Sequence, residues 1–283
     1  MPRVDLRAKP IAITGASSGI GLATAWACAR AGMPVTLAAR RIDLLEKHAQ
    51  QMRDQGFQAL AIACDVADPQ ACAGVIDATV REFGGIYSVF ANAGYGLEIA
   101  YRDATRQQLR DLMETNFWGS LNVIDPALDV MRRQREGHVL FCSSCLSKIG
   151  LPYYAAYCAS KACQDYLSRA MRHELRHEGI AVSSVHPIGT KTELFDQMQA
   201  RSPNPRLTTN TPSAFMQSPE RVANAIVARL RKGRGGEVWT SLPVRAAMAF
   251  GVLAPGFADW ALAKKVASRM QAHEERAKQS ESR

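Results

Sequence analysis

Short apolar segments alternate with longer amphipathic segments along most of this chain. The apolar segments are short and flanked by turn residues, as in buried strands, whereas the longer segments repeat their apolar positions with helical spacing. Strict alternation of strand and helix indicates a parallel sheet that is covered on both faces. The predicted strands are 10–13, 34–39, 58–64, 87–91, 138–142, 180–185 and 237–241, and the predicted helices include 22–31, 42–55, 70–83, 153–178 and 219–232.

The fold class that this order predicts is α/β. We expect a single doubly wound Rossmann-type domain over residues 1–241, with a parallel sheet of about seven strands and helices on both faces. A chain of 283 residues has room for one such domain and a terminal extension. Because doubly wound sheets bind ligands at the carboxyl ends of their strands, candidate site residues are sought where the predicted strands end.

A glycine-rich turn follows the first predicted strand. Its sequence is Thr14-Gly15-Ala16-Ser17-Ser18-Gly19-Ile20-Gly21. Glycines at a strand-to-helix turn let backbone N–H groups approach an anionic ligand at the helix N-terminus. A plain tight turn is the alternative interpretation, and the spacing differs from the commoner Gly-x-Gly-x-x-Gly fingerprint.

A second stretch, from residue 143 to residue 161, brings a tyrosine and a lysine together. Tyr157 and Lys161 are four positions apart, so a helix places both side chains on one face. A nearby ammonium favours the phenolate, and we therefore predict that Lys161 lowers the pKa of Tyr157. The hydroxyl of Ser144 is a candidate for holding a carbonyl or alcohol oxygen at the same place.

Together the glycine turn and the Ser/Tyr/Lys stretch resemble the short-chain dehydrogenase/reductase family over residues 10 to about 241. The resemblance implies hydride transfer between NADP(H) and a carbonyl/alcohol pair, with Tyr157 as the proton donor or acceptor. It also implies that Ser144 holds the reacting oxygen and that Lys161 binds the nicotinamide ribose. Asn116 would be the fourth catalytic residue, holding a water beside the lysine from a local helix distortion.

The resemblance also implies a set of cofactor-binding residues. In the family an aspartate at the position of Asp65 contacts the adenine, and a threonine at the position of Thr192 holds the nicotinamide carboxamide. The chain departs from the family at Ile188, where glycine is usual. The implied set is Gly15, Ser17, Ser18, Gly19, Ile20, Gly21, Asp65, Val66, Asn92, Ala93, Gly94, Tyr157, Lys161, Pro187 and Thr192.

Two arginines stand where the second predicted strand ends. An acidic residue at this place would bind the ribose hydroxyls of NAD, whereas Arg40 and Arg41 suit the 2′-phosphate of NADP by charge and forked geometry. The alternative is that one of the two merely covers the following helix. We predict NADP(H) as the cofactor.

The chain after the sixth predicted strand is less regular. Residues 193–217 are polar and contain prolines, and we expect them to form a lid over the substrate. Residues 242–283 form an extension with an apolar part over 246–263 and a charged end. Pro255 and Gly256 split the apolar part, which predicts two short helices rather than one span. These helices are expected to pack over the pocket, to bury against a second subunit, or to contact a membrane surface through 243–270.

Composition and net charge bear on the kind of ligand, the partners and the cellular compartment. The net charge of +9 favours anionic ligands, but basic residues are not interleaved with aromatics, so we predict no nucleic-acid partner. Seven cysteines without a disulfide spacing, and an N-terminus without an apolar signal, predict a cytoplasmic protein, with membrane association at the periphery left open. Cys142-x-x-Cys145 has no partner pair, and we predict no metal site.

The predicted function is therefore an NADP(H)-dependent reductase or dehydrogenase acting on a small hydrophobic carbonyl or alcohol. The family resemblance implies a homodimer or homotetramer that pairs through helices near 106–135 and 153–178. Two alternatives come from other classes of protein: a regulator that binds the cofactor without turnover, and a membrane-surface protein acting through its extension. Intact Ser144, Tyr157, Lys161 and Asn116 argue against the regulator, because binding alone does not need all four.

Overall fold

The computed structural model describes residues 3–190, 192, 193, 198 and 216–264. Within this part of the chain, seven parallel strands form one sheet in the order β3-β2-β1-β4-β5-β6-β7. Their bounds are β1 Ile11–Thr14, β2 Val35–Ala39, β3 Ala59–Ala63, β4 Ser88–Ala91, β5 Gly137–Cys142, β6 Ile180–His186 and β7 Gly236–Trp239. The doubly wound α/β prediction is confirmed. The predicted lid over 193–217 lies mostly outside the described residues, as does the end of the extension beyond 264.

Helices connect the strands as the alternation predicted. They are α1 Gly19–Arg30, α2 Ile42–Asp54, α3 Pro69–Phe83, α4 Arg106–Met113, α5 Gly119–Gln134, α6 Ala155–Glu174 and α7 Pro219–Lys232, followed by α8 Leu242–Leu253 and α9 Pro255–Lys264. The first helix begins inside the glycine turn rather than after it. The helix predicted over 153–178 is shorter, because the chain tightens into a 3₁₀ turn over Leu175–Glu178.

Two apolar layers hold the helices against the sheet. Side chains alternate between the two faces of a strand, so Ile11 and Ile13 of β1 pack with α1, α2 and α7, whereas Ala12 packs with α3 and α5. All of β1 is buried, as expected for a central parallel strand. Each fully buried isoleucine contributes about 2 kcal/mol of burial free energy.

The strand order reverses between β1 and β4, and this junction places the site. Crevices form outside the carboxyl ends of the strands at such a reversal. Here Thr14 closes the junction, because its Oγ1 accepts hydrogen bonds from the backbone N–H groups of Asn92 at 3.0 Å and Ala93 at 3.1 Å. The Asn92 side chain returns a bond to the Thr14 carbonyl at 2.9 Å. These hydrogen bonds hold the glycine turn next to the Asn92–Gly94 turn.

Candidate active site

Two adjoining cavities open at the carboxyl edge of the sheet. Their volumes are about 360 Å³ and about 530 Å³, and the same residues of the glycine turn and the Asn92–Gly94 turn line both. The cavities therefore form one groove across the junction of β1 and β4. Every predicted site residue lines one of them except Gly21 and Asn116, which are buried beneath the groove.

The glycines allow backbone segments to approach closely under this groove. Gly15 has a left-handed φ of +65°, and a Cβ there would lie 2.9 Å from the Cα of Ala93. A Cβ on Gly21 would lie 2.4 Å from the carbonyl oxygen of Gly15. Ser18, the N-cap of α1, makes no side-chain capping bond, and the first turn of α1 holds no acidic residue. The positive end of the α1 dipole is thus directed into the groove, as an anion site requires.

A carboxylate of the chain lies at this helix end. The Arg41 guanidinium donates hydrogen bonds to the hydroxyls of Ser17 at 3.0 Å and Ser18 at 3.2 Å, and to Glu193 Oε2 at 2.8 Å. The bond from Arg41 lowers the pKa of Glu193. Glu193 thus occupies a position where an anionic ligand would find the same donors. Sequence reasoning missed this residue, since it lies in a segment without periodicity.

The predicted Ser/Tyr/Lys residues meet in the smaller cavity. Strand β5 ends at Cys142 and delivers Ser144, while the second turn of α6 carries Lys161 over Tyr157. Ser144 hydrogen-bonds the Tyr157 hydroxyl, and Lys161 Nζ lies 5.8 Å from the centroid of the Tyr157 ring. The tyrosine hydroxyl thus has a serine hydroxyl beside it and an ammonium close to its ring.

The structure corrects the predicted pKa of Tyr157. Burial raises this pKa above its ordinary value of 10.0, and the bond with Ser144 opposes the rise only in part. The prediction that Lys161 brings this pKa below its ordinary value is therefore wrong for this structure, because burial outweighs any favourable effect of the ammonium on the phenolate. Lys161 is only 4% exposed: burial lowers its own pKa, and its ammonium donates to the Cys142 carbonyl at 2.7 Å and to Gln164 Oε1 at 3.2 Å. Tyr157 is consequently a neutral phenol at neutral pH.

Asn116 sits in a π-helical turn, Glu114–Trp118, between α4 and α5. This turn is the local helix distortion that the family resemblance implied. The Asn116 amide pairs with both the N–H and the C=O of Tyr95 at 2.9 Å and donates to Ser160 Oγ at 3.1 Å. The backbone carbonyl of Asn116 accepts a hydrogen bond from the Gln164 side-chain amide at 2.6 Å. Gln164, which sequence reasoning missed, therefore connects Asn116 to Lys161.

A buried charge cluster supports the loop that carries Ser144. Lys148 Nζ bridges Asp165 Oδ2 at 2.6 Å and Glu237 Oε1 at 2.8 Å. His186 lies 3.4 Å from Asp165 through Nε2 and 3.0 Å from the Ser144 carbonyl through Nδ1. The cluster ties the loop after β5 to α6, β6 and β7. It also fixes the backbone of Ser144.

His186 belongs to this support and not to the groove. Its ring is fully buried, stacks on Trp239 with centroids 4.5 Å apart, and lines neither cavity. Its position in this structure is therefore that of a packing residue beneath the site. Asp165, His186 and Glu237 have the composition of a metal site, but the Lys148 ammonium lies between the two carboxylates.

The thiols near the site are in their neutral form. Burial raises the pKa of Cys142, and it raises the pKa of Cys145 to about 11. A neutral thiol is a poor metal ligand and a poor nucleophile. Neither thiol is therefore an activated nucleophile at neutral pH.

Known proteins resemble this chain in sequence. The sequence profile described as short chain dehydrogenase matches residues 9–203. Dehydrogenase/reductase SDR family member 7B of Bos taurus is 30% identical over 260 residues, covering 90% of this chain and 80% of that protein. The glycine betaine reductase ATRR of Emericella nidulans is 31% identical over 232 residues, but the match spans 82% of this chain and only 18% of that much longer protein.

Solved structures show the same fold. A short-chain type dehydrogenase/reductase from Mycobacterium marinum superposes with a TM-score of 0.74 at 31% identity, covering 83% of this chain and 95% of that one. An alcohol dehydrogenase from Thermococcus sibiricus, complexed with 5-hydroxy-NADP, gives 0.70 at 27% identity, with 81% and 94% covered. A Burkholderia phymatum protein in complex with NAD gives 0.77 at 20% identity, with 90% and 96% covered.

The buried cluster generates a stability prediction. Burial raises the pKa of Asp165, but hydrogen bonds from His186 and Lys148 outweigh it and lower the pKa to about 2, below the ordinary 3.8. The ionised carboxylate therefore stabilises the fold above about pH 4, by about 2 kcal/mol, and this contribution is lost as the pH falls toward about 2. Asp165→Asn should lower the free energy of unfolding by about 3–5 kcal/mol, because Lys148 loses a buried partner.

The matched control is Glu178→Gln, which breaks the surface pair with Arg132 at 2.8 Å and should cost less than about 1 kcal/mol. Urea unfolding of both variants at about pH 7 and about pH 3 gives the comparison, with the Asp165→Asn deficit shrinking in acid. If both variants lost the same free energy of unfolding, or if the Asp165→Asn deficit did not change with pH, Asp165 would not be an ionised, paired carboxylate in the folded chain.

Proposed function

This chain belongs to the short-chain dehydrogenase/reductase family of oxidoreductases, and from this premise we propose that it is an NADP(H)-dependent enzyme interconverting a carbonyl and a secondary alcohol on a hydrophobic substrate. One observation carries the proposal. Ser144, Tyr157 and Lys161 converge on one cavity, and that cavity continues into a groove headed by the open N-terminus of α1. The arrangement combines a proton donor with an anion site.

The residues present fit a dinucleotide. The glycines leave no room for side chains beneath the groove, and the α1 N-terminus with Arg41 offers donors to phosphate groups. Arg40, Arg41, Asp65 and Val66 line the larger cavity, which we assign to the adenosine half. When bound, NADP(H) supplies or accepts the hydride. We infer the preference for NADP(H) from the two arginines at the end of β2, where an acidic residue would favour NAD.

The protein side of the reaction is proton transfer. As a neutral phenol, Tyr157 can donate its proton to a carbonyl oxygen during reduction, while the Ser144 hydroxyl holds that oxygen. The phenolate that forms is stabilised by the Lys161 ammonium beside its ring. We further propose that Asn116 and Gln164 hold Lys161 in place during this change, since they connect it to the π-helical turn.

The remaining walls of the smaller cavity indicate the class of substrate. They are apolar next to the reacting hydroxyls, and a volume of about 360 Å³ suits a small organic molecule. A hydrophobic ketone or secondary alcohol matches this lining. The apolar wall residues are Leu146, Leu151, Tyr154, Met198 and Val244.

Removing the tyrosine hydroxyl tests the reaction. Tyr157→Phe should reduce turnover with an accepted ketone by at least about 100-fold, since the general acid is lost, while NADPH affinity changes little. The control is Tyr153→Phe, which removes a hydroxyl from a residue lining neither cavity and should keep its activity. Turnover is followed as NADPH oxidation and affinity by fluorescence titration. Substantial turnover by Tyr157→Phe would refute the assignment, and with it the proposed enzyme.

The direction of the Tyr157 pKa shift predicts the pH dependence. Alcohol oxidation needs the phenolate, so its rate should rise toward alkaline pH, whereas ketone reduction should stay level through neutral pH because the phenol is protonated. The Ser144 bond holds the pKa of Tyr157 down. Ser144→Ala should therefore displace the alkaline rise of oxidation to higher pH as well as slow the reaction. A displacement toward lower pH would show that the Ser144 bond does not hold this pKa down.

The arginines at the end of β2 test the cofactor choice. Replacing Arg40 and Arg41 by alanine together should weaken NADPH binding by roughly 2–4 kcal/mol, because charge-assisted bonds to the 2′-phosphate are lost, and should weaken NADH binding much less, because NADH lacks that phosphate. Arg30→Ala, at the far end of α1, is the control for loss of a positive charge. Titration of both cofactors gives the affinities. Equal affinity of the unaltered chain for NADH and NADPH would rule out the NADP(H) preference.

A further inference from the structure

Helices α8 and α9 carry a large exposed apolar surface. None of the α8 residues is buried, and Leu253 is 83% exposed. On α9, Phe257 and Trp260 are 56% and 58% exposed. A helix that is apolar on all sides is normally enclosed by protein or by lipid. Within the described part of the chain, α8 contacts protein mainly along the short turn Cys145–Lys148.

The two helices form a bent pair with an aromatic cluster at the bend. They meet at 108°, and together, though not singly, they have the length and composition of a membrane segment within the described residues. Phe257 contacts Phe250 across the bend at 5.6 Å and Trp260 along α9 at 5.7 Å, centroid to centroid. Asp259 would cost about 2.5–3.5 kcal/mol at the centre of a bilayer. The pair therefore suits a position in the plane of the interface.

Charges on the pair match an anionic surface. Arg245 lies near the start of α8 and Lys264 at the end of α9, against the single acid Asp259 in the two helices. Lys264 Nζ lies 5.5 Å from the centre of the Trp260 ring. Tryptophan and lysine side chains both have an apolar body and a polar tip. Such side chains are found at the headgroup level of a membrane, where the body contacts lipid and the tip contacts water.

The first of these helices, α8, also forms part of the proposed substrate cavity. Val244, in the first turn of α8, lines the cavity that holds Tyr157 and Ser144. Further along α8, a Cβ on Gly251 would lie 3.4 Å from Ile149 Cγ2, so this helix rests on the loop that follows Ser144. The apolar surface and the cavity wall are thus two parts of one element.

We propose that α8 and α9 lie in the surface of an anionic lipid bilayer, and that the cavity takes its apolar carbonyl or alcohol substrate from that bilayer. The second clause rests on the proposed oxidoreductase function, whereas the docking itself does not. In that position the acyl chains contact exposed apolar side chains of both helices, Leu253 and Trp260 among them. The proposal also explains why an apolar cavity wall is continuous with an exposed apolar surface.

Vesicle sedimentation of the full chain, without cofactor or substrate, tests the docking. The chain should bind phosphatidylcholine vesicles that contain phosphatidylserine and bind weakly when phosphatidylserine is left out. Leu253→Ser combined with Trp260→Ser should reduce binding at least about tenfold, since two apolar side chains no longer enter the lipid. Leu44→Ser is the matched control: Leu44 is an exposed leucine on α2, beside the opposite edge of the sheet, and its replacement should not alter binding.

Two results would overturn the docking. One is absence of vesicle binding by the unaltered chain, or equal binding by the double variant. The other is a double variant that changes the oligomeric state in light scattering while vesicle binding stays the same, which would assign the surface to a second copy.

A separate measurement tests whether the cavity takes its substrate from the bilayer. The double variant should raise the KM for a long-chain ketone dissolved in vesicles and keep the kcat/KM for a water-soluble ketone. Unchanged kinetics on both ketones would refute the uptake of substrate from the bilayer, but would not contradict the docking. Failure of the proposed function itself would be seen differently, as absence of turnover with either ketone in a chain that still binds vesicles.

Discussion

A buried ammonium is the constraint on which the site depends. Lys161 is 4% exposed, and a charge taken out of water costs several kcal/mol unless hydrogen bonds replace its hydration. Its partners come from three elements: the Cys142 carbonyl at the end of β5, Gln164 one turn later on α6, and, through Gln164, the carbonyl of Asn116 in the π-helical turn. Satisfying one charge therefore fixes the relative positions of a strand, a helix and a helix irregularity.

The same burial acts on Tyr157 and Lys161 in opposite directions. It raises the pKa of the tyrosine and lowers that of the lysine, so both shifts disfavour charge. A buried phenol of this kind keeps its proton until a proton acceptor binds beside it. At that moment the ammonium beside the ring gains an opposite charge, and the pair becomes more favourable than either charge alone. In the proposed reaction the tyrosine would thus be neutral before proton transfer, and the ammonium would stabilise the phenolate that this step creates.

Much of this architecture could be predicted from the sequence, because strand alternation and motif spacing are local signals. The positions of Tyr157 and Lys161 on one helix face follow from a spacing of four. The cluster beneath Ser144 could not be predicted, since Lys148 is 17 residues from Asp165 and 89 from Glu237 in sequence. The direction of the Tyr157 pKa shift could not be predicted either. The spacing identifies Lys161 as a neighbour of Tyr157, but it does not tell how deeply the tyrosine is buried.

The contact between Arg41 and Glu193 has a consequence for how the groove fills. An anion that arrives at the N-terminus of α1 meets donors already engaged with a carboxylate. Ligand uptake there is an exchange of one anion for another, so the guanidinium does not give up a full hydration shell and its orientation is preorganised by two serine hydroxyls. The outgoing carboxylate belongs to the segment that follows Thr192. Displacing it would therefore move a carboxylate that adjoins Thr192, and both residues line the cavity that holds Tyr157.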